Sequence, residues 1–130
     1  MFDVLATQRT IDYIEEHVSE RLDLQRISEE VNLSPFHLHR IFAHTLGQTI
    51  HEYLRKRQLT LAAKLLSSTE KPILEIALEA GYESQQAFTR IFKALYKCPP
   101  NEFRKHRMFY PLQLRFEFPG ELSPFPENPQ

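Results

Sequence analysis

Apolar residues recur at helical spacing along the chain up to about residue 109. Side chains three and four positions apart lie on one face of a helix, so each run predicts an amphipathic helix with a buried face. Capping residues mark where runs begin: Ser34 with Pro35 opens one helix, and Thr49 with Glu52 forms a capping-box pattern at the start of a long one. The pattern therefore predicts an all-α fold of about seven helices, with a long fourth helix.

The pattern changes near the C-terminus. The segment "LQLRFEF", from Leu112 to Phe118, alternates apolar and polar residues with a period of two, which is typical of a β-strand. A single strand has no partner in an otherwise helical chain, so it is expected to lie on the helices or to pair between chains. The proline-rich stretch that follows, residues 119–130, predicts a mobile tail.

The chain also repeats itself at an offset of about 50 residues. The segment "ISEEVNLSPFHLHRIF" (27–42) aligns with "IALEAGYESQQAFTRIF" (76–92) once one residue is inserted at the turn, and both copies end in Arg-Ile-Phe. Each copy has the pattern of a short helix, a tight turn and a second, capped helix. This is the helix-turn-helix arrangement, present twice.

The repeat and one linker divide the chain into three parts. The polar segment "SSTEKP" (67–72) has the composition of a linker. We predict an N-terminal helix-turn-helix subdomain with its connecting helix at residues 1–66, a C-terminal helix-turn-helix subdomain at 67–109, and an extended proline-rich tail at 110–130. Neither short copy can bury its apolar face alone, so each is expected to pack on the long helix between them.

Charge is distributed unevenly along a chain whose net charge is only −1. Residues 1–30 carry three basic and eight acidic side chains, residues 31–110 carry twelve basic and six acidic ones, and residues 111–130 carry one and three. The basic middle also holds five of the six histidines. A local positive field of this kind attracts the phosphate backbone of a nucleic acid.

Other features exclude several classes of protein. No run of 18 apolar residues predicts a membrane span, and the N-terminus lacks the pattern of a signal peptide. The single cysteine, Cys98, suits a reducing compartment and is expected to be a packing residue, so the cytoplasm is the expected location. The histidines show no metal-ligand spacing, and neither a metal, a cofactor nor an enzymatic activity is expected.

Polar residues are concentrated on the exposed face of the second helix of each repeat. An α-helix fits the major groove of DNA, where arginine pairs with guanine and glutamine with adenine. Phe36 can lie against a thymine methyl group or tuck into the local core. Gln85 and Gln86 point about 100° apart, so one of them is expected to hold a phosphate instead. The predicted base-contacting residues are Phe36, His39, Arg40, Gln85, Gln86, Thr89 and Arg90.

Hydroxyl groups at helix starts and nearby basic side chains are the candidates for phosphate contacts. Arg55, Lys56 and Arg57 are adjacent and cannot all face one way, so one or more of them is expected to be solvated or paired with Glu52. The predicted phosphate-contacting residues are Ser34, Thr49, Arg55, Lys56, Arg57, Ser84, Lys93, Lys97, Arg104 and Lys105.

Two helix-turn-helix units around a long helix, with "SPFHLHRIF", "PILEIALEAGY" and "GYESQQAFTRIFK…PPNEFRK", resemble the DNA-binding domain of the AraC/XylS family of transcription regulators. The resemblance is to the small stand-alone members of the MarA/SoxS/Rob type and covers roughly residues 4–107. It implies the same base-contacting positions. Phe36 and His39 depart from the tryptophan and glutamine that close relatives often have there, which affects the expected sequence preference.

The resemblance implies a bacterial, nucleoid-associated activator that recruits RNA polymerase, often at stress or antibiotic-resistance genes. We expect it to bind double-stranded DNA as a monomer, with two recognition helices in adjacent major grooves roughly 34 Å apart on an asymmetric site of about 20 base pairs. Bending of the duplex is a further hypothesis. Two alternatives are a DNA-binding fragment of a larger ligand-sensing regulator and an interaction module that docks on polymerase.

Overall fold

The computed structural model describes residues 2–118, which form seven α-helices and no strand. The helices are α1 (Phe2–Glu16), α2 (Leu24–Val31), α3 (Pro35–Leu46), α4 (Ile50–Ser68), α5 (Ile73–Glu79), α6 (Gln85–Tyr96) and α7 (Pro100–His106). The predicted all-α fold with two helix-turn-helix units and a long α4 is confirmed. Within these residues, none of the helices has both the length and the apolar character needed to cross a membrane.

Side-chain caps set the starts of four helices. Asp23, Ser34 and Ser84 each accept a hydrogen bond from the backbone N–H three residues further on. Thr49 and Glu52 make both hydrogen bonds of the capping box that begins α4. The bond from the Thr49 N–H lowers the pKa of the Glu52 carboxyl. Such caps satisfy N–H groups that have no partner within the helix, and each contributes about 1 kcal/mol.

The buried side chains form two separate cores, one for each helix-turn-helix unit. The first core consists of Ile11, Ile14, Ile27, Val31, Leu38, Phe42, Ile50, Tyr53 and Leu54. The second consists of Leu59, Ala62, Ala63, Leu66, Ile76, Ala77, Ala80, Phe88, Phe92, Tyr96 and Phe103. Helix α4 contributes its N-terminal half to the first core and its C-terminal half to the second, so both units pack against the same helix.

The turns of the two repeats use the same backbone conformation. Asn32 and Gly81 stand at matching positions and have φ angles of 66° and 90°. Gly81 also lies against the first unit: a Cβ there would be 3.1 Å from the carbonyl oxygen of Glu20 and 2.8 Å from Nε2 of Gln58. The second turn therefore needs glycine both for its backbone angle and for close packing between the units.

The predicted strand at Leu112–Phe118 is wrong. Residues 109–118 form neither helix nor strand, and we call them the C-terminal strap. The alternating apolar residues of the strap do not form one face of a sheet. Leu112 packs on the second core and Phe116 on the first, while Leu114 between them is 68% exposed. Of the two outcomes expected for this segment, the structure shows the first: it lies on the helices. The predicted proline-rich tail at 119–130 lies outside the described residues.

Candidate nucleic-acid interface

The second helix of the first unit, α3, has one buried and one exposed face. Leu38 and Phe42 are fully buried in the first core, and their burial fixes the rotation of the helix. Phe36 is 71% exposed, so it does not tuck into the local core. The Arg40 guanidinium lies 5.7 Å from the centre of the Phe36 ring, in a cation–π contact that holds both side chains together on the exposed face.

The second helix of the second unit, α6, is divided in the same way. Phe88 and Phe92 are fully buried and pack against one another with their rings tilted, the ring centres 5.5 Å apart. The four residues predicted to contact bases on this helix line one open groove: Gln85, Gln86, Thr89 and Arg90. The structure therefore brings these four predicted residues together on one exposed surface.

Sequence reasoning missed part of the surface beside α3. His37 and His44 line the same depression as His39 and Arg40, together with Asp3 from α1. Both histidines were considered only as metal ligands, although their spacing of seven residues places them on one helix face. This spacing, within a histidine-rich basic segment, is the signal that could have found them.

The hydroxyl groups predicted to hold phosphates all act as helix caps. The hydroxyl oxygens of Ser34, Thr49 and Ser84 accept hydrogen bonds from the backbone N–H groups of His37, Glu52 and Ala87. A hydroxyl that accepts a bond can still donate its own proton. Each of the three caps can therefore donate to a phosphate oxygen at a helix start.

Five of the predicted basic residues have their side chains at the surface. These are Arg55, Lys56, Lys93, Lys97 and Lys105, of which Lys56 is partly and the others largely exposed. Within residues 2–118 no carboxylate forms an ion pair with any of them. Their charge is therefore available to a polyanion.

Arg57 does not lie at the surface, where a residue must be to contact a DNA phosphate. It is only 6% exposed, and it forms an ion pair with Glu15 of α1 rather than with Glu52. Its Nη1 also donates to the carbonyl oxygen of Gln113 at 2.8 Å. The Nε, Nη1 and Nη2 groups of Arg57 therefore all form hydrogen bonds within the protein. The prediction for this residue is corrected to a structural role.

The prediction for Arg104 is also corrected, because its guanidinium is bonded within the protein although the side chain is only half-buried. Its Nε donates to the carbonyl oxygen of Leu66 at 3.1 Å, and its Nη2 donates to that of Lys71 at 2.7 Å. These carbonyls lie at the end of α4 and in the linker that follows it. Arg104 therefore ties α7 to the junction between the helices instead of facing DNA.

Cys98 is a packing residue, as expected. It lies against the second core, and burial raises the pKa of its thiol, with the nearby Glu102 carboxylate adding to the shift. A raised pKa keeps the thiol protonated and unreactive.

Known proteins share both the sequence pattern and this architecture. A helix-turn-helix domain family matches residues 27–106. The chain is 39% identical to the regulatory protein SoxS of Salmonella typhimurium, over 78% of this chain and 94% of SoxS. It is 35% identical to the multiple antibiotic resistance protein MarA of Escherichia coli, over 82% of this chain and 84% of MarA.

A longer relative and two solved structures extend the comparison. The chain is 41% identical to the uncharacterized HTH-type transcriptional regulator YbfP of Bacillus subtilis, but the match spans 80% of this chain and only 35% of YbfP. A transcriptional regulator with an AraC-type DNA-binding domain from Chromobacterium violaceum superposes with a TM-score of 0.73, at 27% identity over 78% of this chain and 91% of the other. This chain belongs to the AraC family. The C-terminal domain of the response regulator AraT from Geobacillus stearothermophilus is also similar, with a TM-score of 0.77 and 36% identity over 85% and 93% of the two chains.

Membership of the AraC family establishes the general activity. AraC-family proteins of the SoxS and MarA kind are DNA-binding transcription regulators, and this protein is one of them. The family match begins at Ile27 and ends at His106, so it includes α2 from Ile27 onward and all of α3 to α7. It leaves out α1, which supplies Ile11 and Ile14 to the first core, and the C-terminal strap.

Proposed function

We propose that this AraC-family regulator binds an asymmetric DNA site of about 20 base pairs as a monomer, with α3 and α6 in adjacent major grooves. The observation that carries the proposal is the pair of exposed faces described above. They occupy matching positions in the repeat, their side chains differ, and each is fixed by burial of the opposite face. Because the faces differ, one copy of the chain presents two different reading surfaces and needs no second copy.

The side chains on these faces suit direct readout of bases. Arg40 and Arg90 are exposed and occupy matching positions near the ends of the two repeats. Neither has an acidic partner among residues 2–118, so each is free to pair with guanine. Gln86 occupies the position that corresponds to Phe36 in the other unit, so adenine is its expected partner and a thymine methyl that of Phe36. His39 and Thr89 correspond in the same way and complete the proposed base-contacting set with Gln85.

Phosphate contacts position the protein on the duplex. The proposed set comprises Ser34, Thr49, Arg55, Lys56, Ser84, Lys93, Lys97 and Lys105, which omits the two buried or internally bonded arginines. Contacts of this kind release counterions, so the affinity is strongly dependent on salt concentration.

The two units are proposed as subdomains with a boundary between residues 66 and 67, followed by a third segment at 110–130. The two separate cores support a division into two units, but residues 59–66 of α4 pack in the second core and so lie on the second unit's side of the division. The boundary falls within the last turn of α4, so the helix links the subdomains without a flexible joint.

Transcriptional activation through RNA polymerase, in the bacterial cytoplasm and nucleoid, is the regulatory role that we propose. Support comes from the similarity to SoxS and to MarA, whose name connects it with antibiotic resistance. A second candidate is the DNA-binding part of a longer regulator, which the 35% coverage of YbfP favours. A reading frame that continues beyond Gln130 would distinguish the two.

The proposal is tested by selecting binding sites from genomic fragments with the purified chain and footprinting them. The expected result is one protein per duplex, with an asymmetric protected region of about 20 base pairs on one face. Symmetric protection with two chains per duplex would contradict the monomer. A chain that selects no sequence over random DNA would contradict direct base readout.

A further inference from the structure

The two helix-turn-helix units have few direct contacts apart from α4. Arg21 pairs with Glu83 at 2.7 Å, but both side chains are more than two-thirds exposed, and such pairs add little. The turn at Gly81 lies against the carbonyl group of Glu20, and Gln58 of α4 itself donates to the carbonyl oxygen of Val18 at 3.2 Å. With separate cores and so few contacts, the relative orientation of the units needs another support.

The C-terminal strap begins on the second unit. The carbonyl oxygen of Tyr110 accepts a hydrogen bond from the Tyr96 hydroxyl at 2.8 Å. The Tyr110 ring lies against those of Tyr96 and Phe103, with centres 5.2 and 5.5 Å away. Leu112 packs on the second core. This end of the strap is therefore anchored by both apolar and polar contacts.

The middle of the strap is attached to α4. Oγ1 of Thr60, a buried residue, accepts hydrogen bonds from the backbone N–H groups of Leu112 and Gln113, each at 3.0 Å. The carbonyl oxygen of Gln113 accepts from Arg57, and its side-chain oxygen accepts from Gln48 at 2.9 Å. Backbone groups that a sheet would pair are paired here with side chains of one helix.

The strap ends on the first unit. The Phe116 N–H donates to the Tyr53 hydroxyl at 2.9 Å, and the Phe116 ring packs on the first core. Arg115 pairs with Asp12 of α1 at 2.6 Å. The strap therefore runs antiparallel to α4, from the second unit to the first, and contacts both cores.

The partners on α4 form one stripe. Tyr53, Arg57 and Thr60 are spaced by four and three residues, which places them on a single face of the helix. Gln58, which bonds to the first unit's loop, lies about 100° away from Arg57 around the helix. The junction between the units is thus held on two sides, by the loop before α2 on one and by the strap on the other.

We propose that the C-terminal strap fixes the orientation of the two helix-turn-helix units and so sets the spacing between half-sites that the protein accepts. The proposal rests on the proposed two-groove binding mode. Two linked modules bind cooperatively only when their geometry matches both sites, and ordering them in advance lowers the entropic cost of binding. Tyr53 and Thr60 are therefore positioning residues, which act on DNA through the strap.

The test uses the full chain with the double substitution Tyr53→Phe and Thr60→Val. These changes remove the acceptors of three strap N–H groups and keep the side-chain shapes. Ser67→Ala is the matched control, since the Ser67 hydroxyl on α4 bonds only to carbonyl groups of its own helix. Amide exchange at residues 112, 113 and 116 reports the release of the strap.

Orientation is measured without DNA, from the distance between spin labels on Glu29→Cys in α2 and Glu102→Cys in α7, in a Cys98→Ser background. The double variant is expected to exchange its strap amides at least about tenfold faster and to give a broader distance distribution than the control. Faster exchange with an unchanged distribution would overturn the proposal, as would unchanged exchange.

Binding supplies the second readout. The double variant is expected to lose about tenfold in affinity for the complete site, to keep its affinity for isolated half-sites, and to discriminate less against a site with one inserted base pair. Equal discrimination by variant and control would overturn the proposal. If the unmodified chain shows no two-part site at all, the proposed function fails, while the label distances still decide whether the strap orients the units.

Discussion

At the residue scale, Arg55 and Arg57 show how much the sequence reveals about the different roles of two neighbouring basic side chains. Adjacent basic residues on a helix point in different directions, so at least one of this group was expected to face away from DNA. Which one faces inward depends on tertiary structure, because the partner of Arg57 is Glu15, 42 residues away in sequence. The pattern of residues around Arg57 contains no signal for that contact.

The two arginines should respond differently to substitution. Arg57→Ala leaves the carboxylate of Glu15, only 19% exposed, without its partner, and is expected to cost roughly 3 kcal/mol of unfolding free energy in urea titrations. Arg55→Ala is expected to leave stability within about 0.5 kcal/mol of the parent. It should instead lower the slope of log affinity against log salt by about 1. A stability loss from Arg55→Ala comparable to that from Arg57→Ala would contradict these assignments.

At the element scale, local signals predicted the helices well. Ser34 and Thr49 cap the helices that they were expected to cap, because a capping bond depends only on residues within one turn. The C-terminal strap was predicted to be a strand because its apolar and polar residues alternate. Alternation indicates that the two sides of a segment have different surroundings, but it does not identify the groups with which the segment pairs. Its partners are the hydroxyl groups of Tyr53 and Thr60, which hydropathy does not reveal.

The two turn glycines give a prediction about the elements that they join. Both have left-handed φ angles, but a Cβ at Gly47 meets no atom within 4 Å, whereas a Cβ at Gly81 meets the backbone of Glu20. Gly47→Ala is expected to cost about 1 kcal/mol from backbone strain alone. Gly81→Ala should cost about 2 kcal/mol or more, because the units must also separate. Thermal or urea unfolding of both variants measures the difference, and equal losses would show that the close approach contributes nothing.

At the scale of the whole molecule, the proposed recognition depends on one chain presenting two unlike surfaces to two parts of one site. The internal repeat made the two surfaces predictable, since matching positions in both copies carry the exposed polar residues. The contacts that orient the units were not predictable, because the bonds between the strap and α4 join residues more than 50 positions apart. Specific recognition requires both the surfaces and their orientation.

The most direct measurement of this claim is site selection with Arg40→Ala and Arg90→Ala, compared with the parent chain and with Arg26→Ala as a control. Arg26 is exposed and paired with Glu20 in the acidic N-terminal region, outside both surfaces. Each test variant should lose about 1–3 kcal/mol at a few base pairs and little on random DNA. The expected result is that Arg40→Ala relaxes the base preference at one end of the site and Arg90→Ala that at the other, about one helical turn apart. Loss of preference at the same base pairs in both variants, or uniform weakening without change in preference, would contradict it.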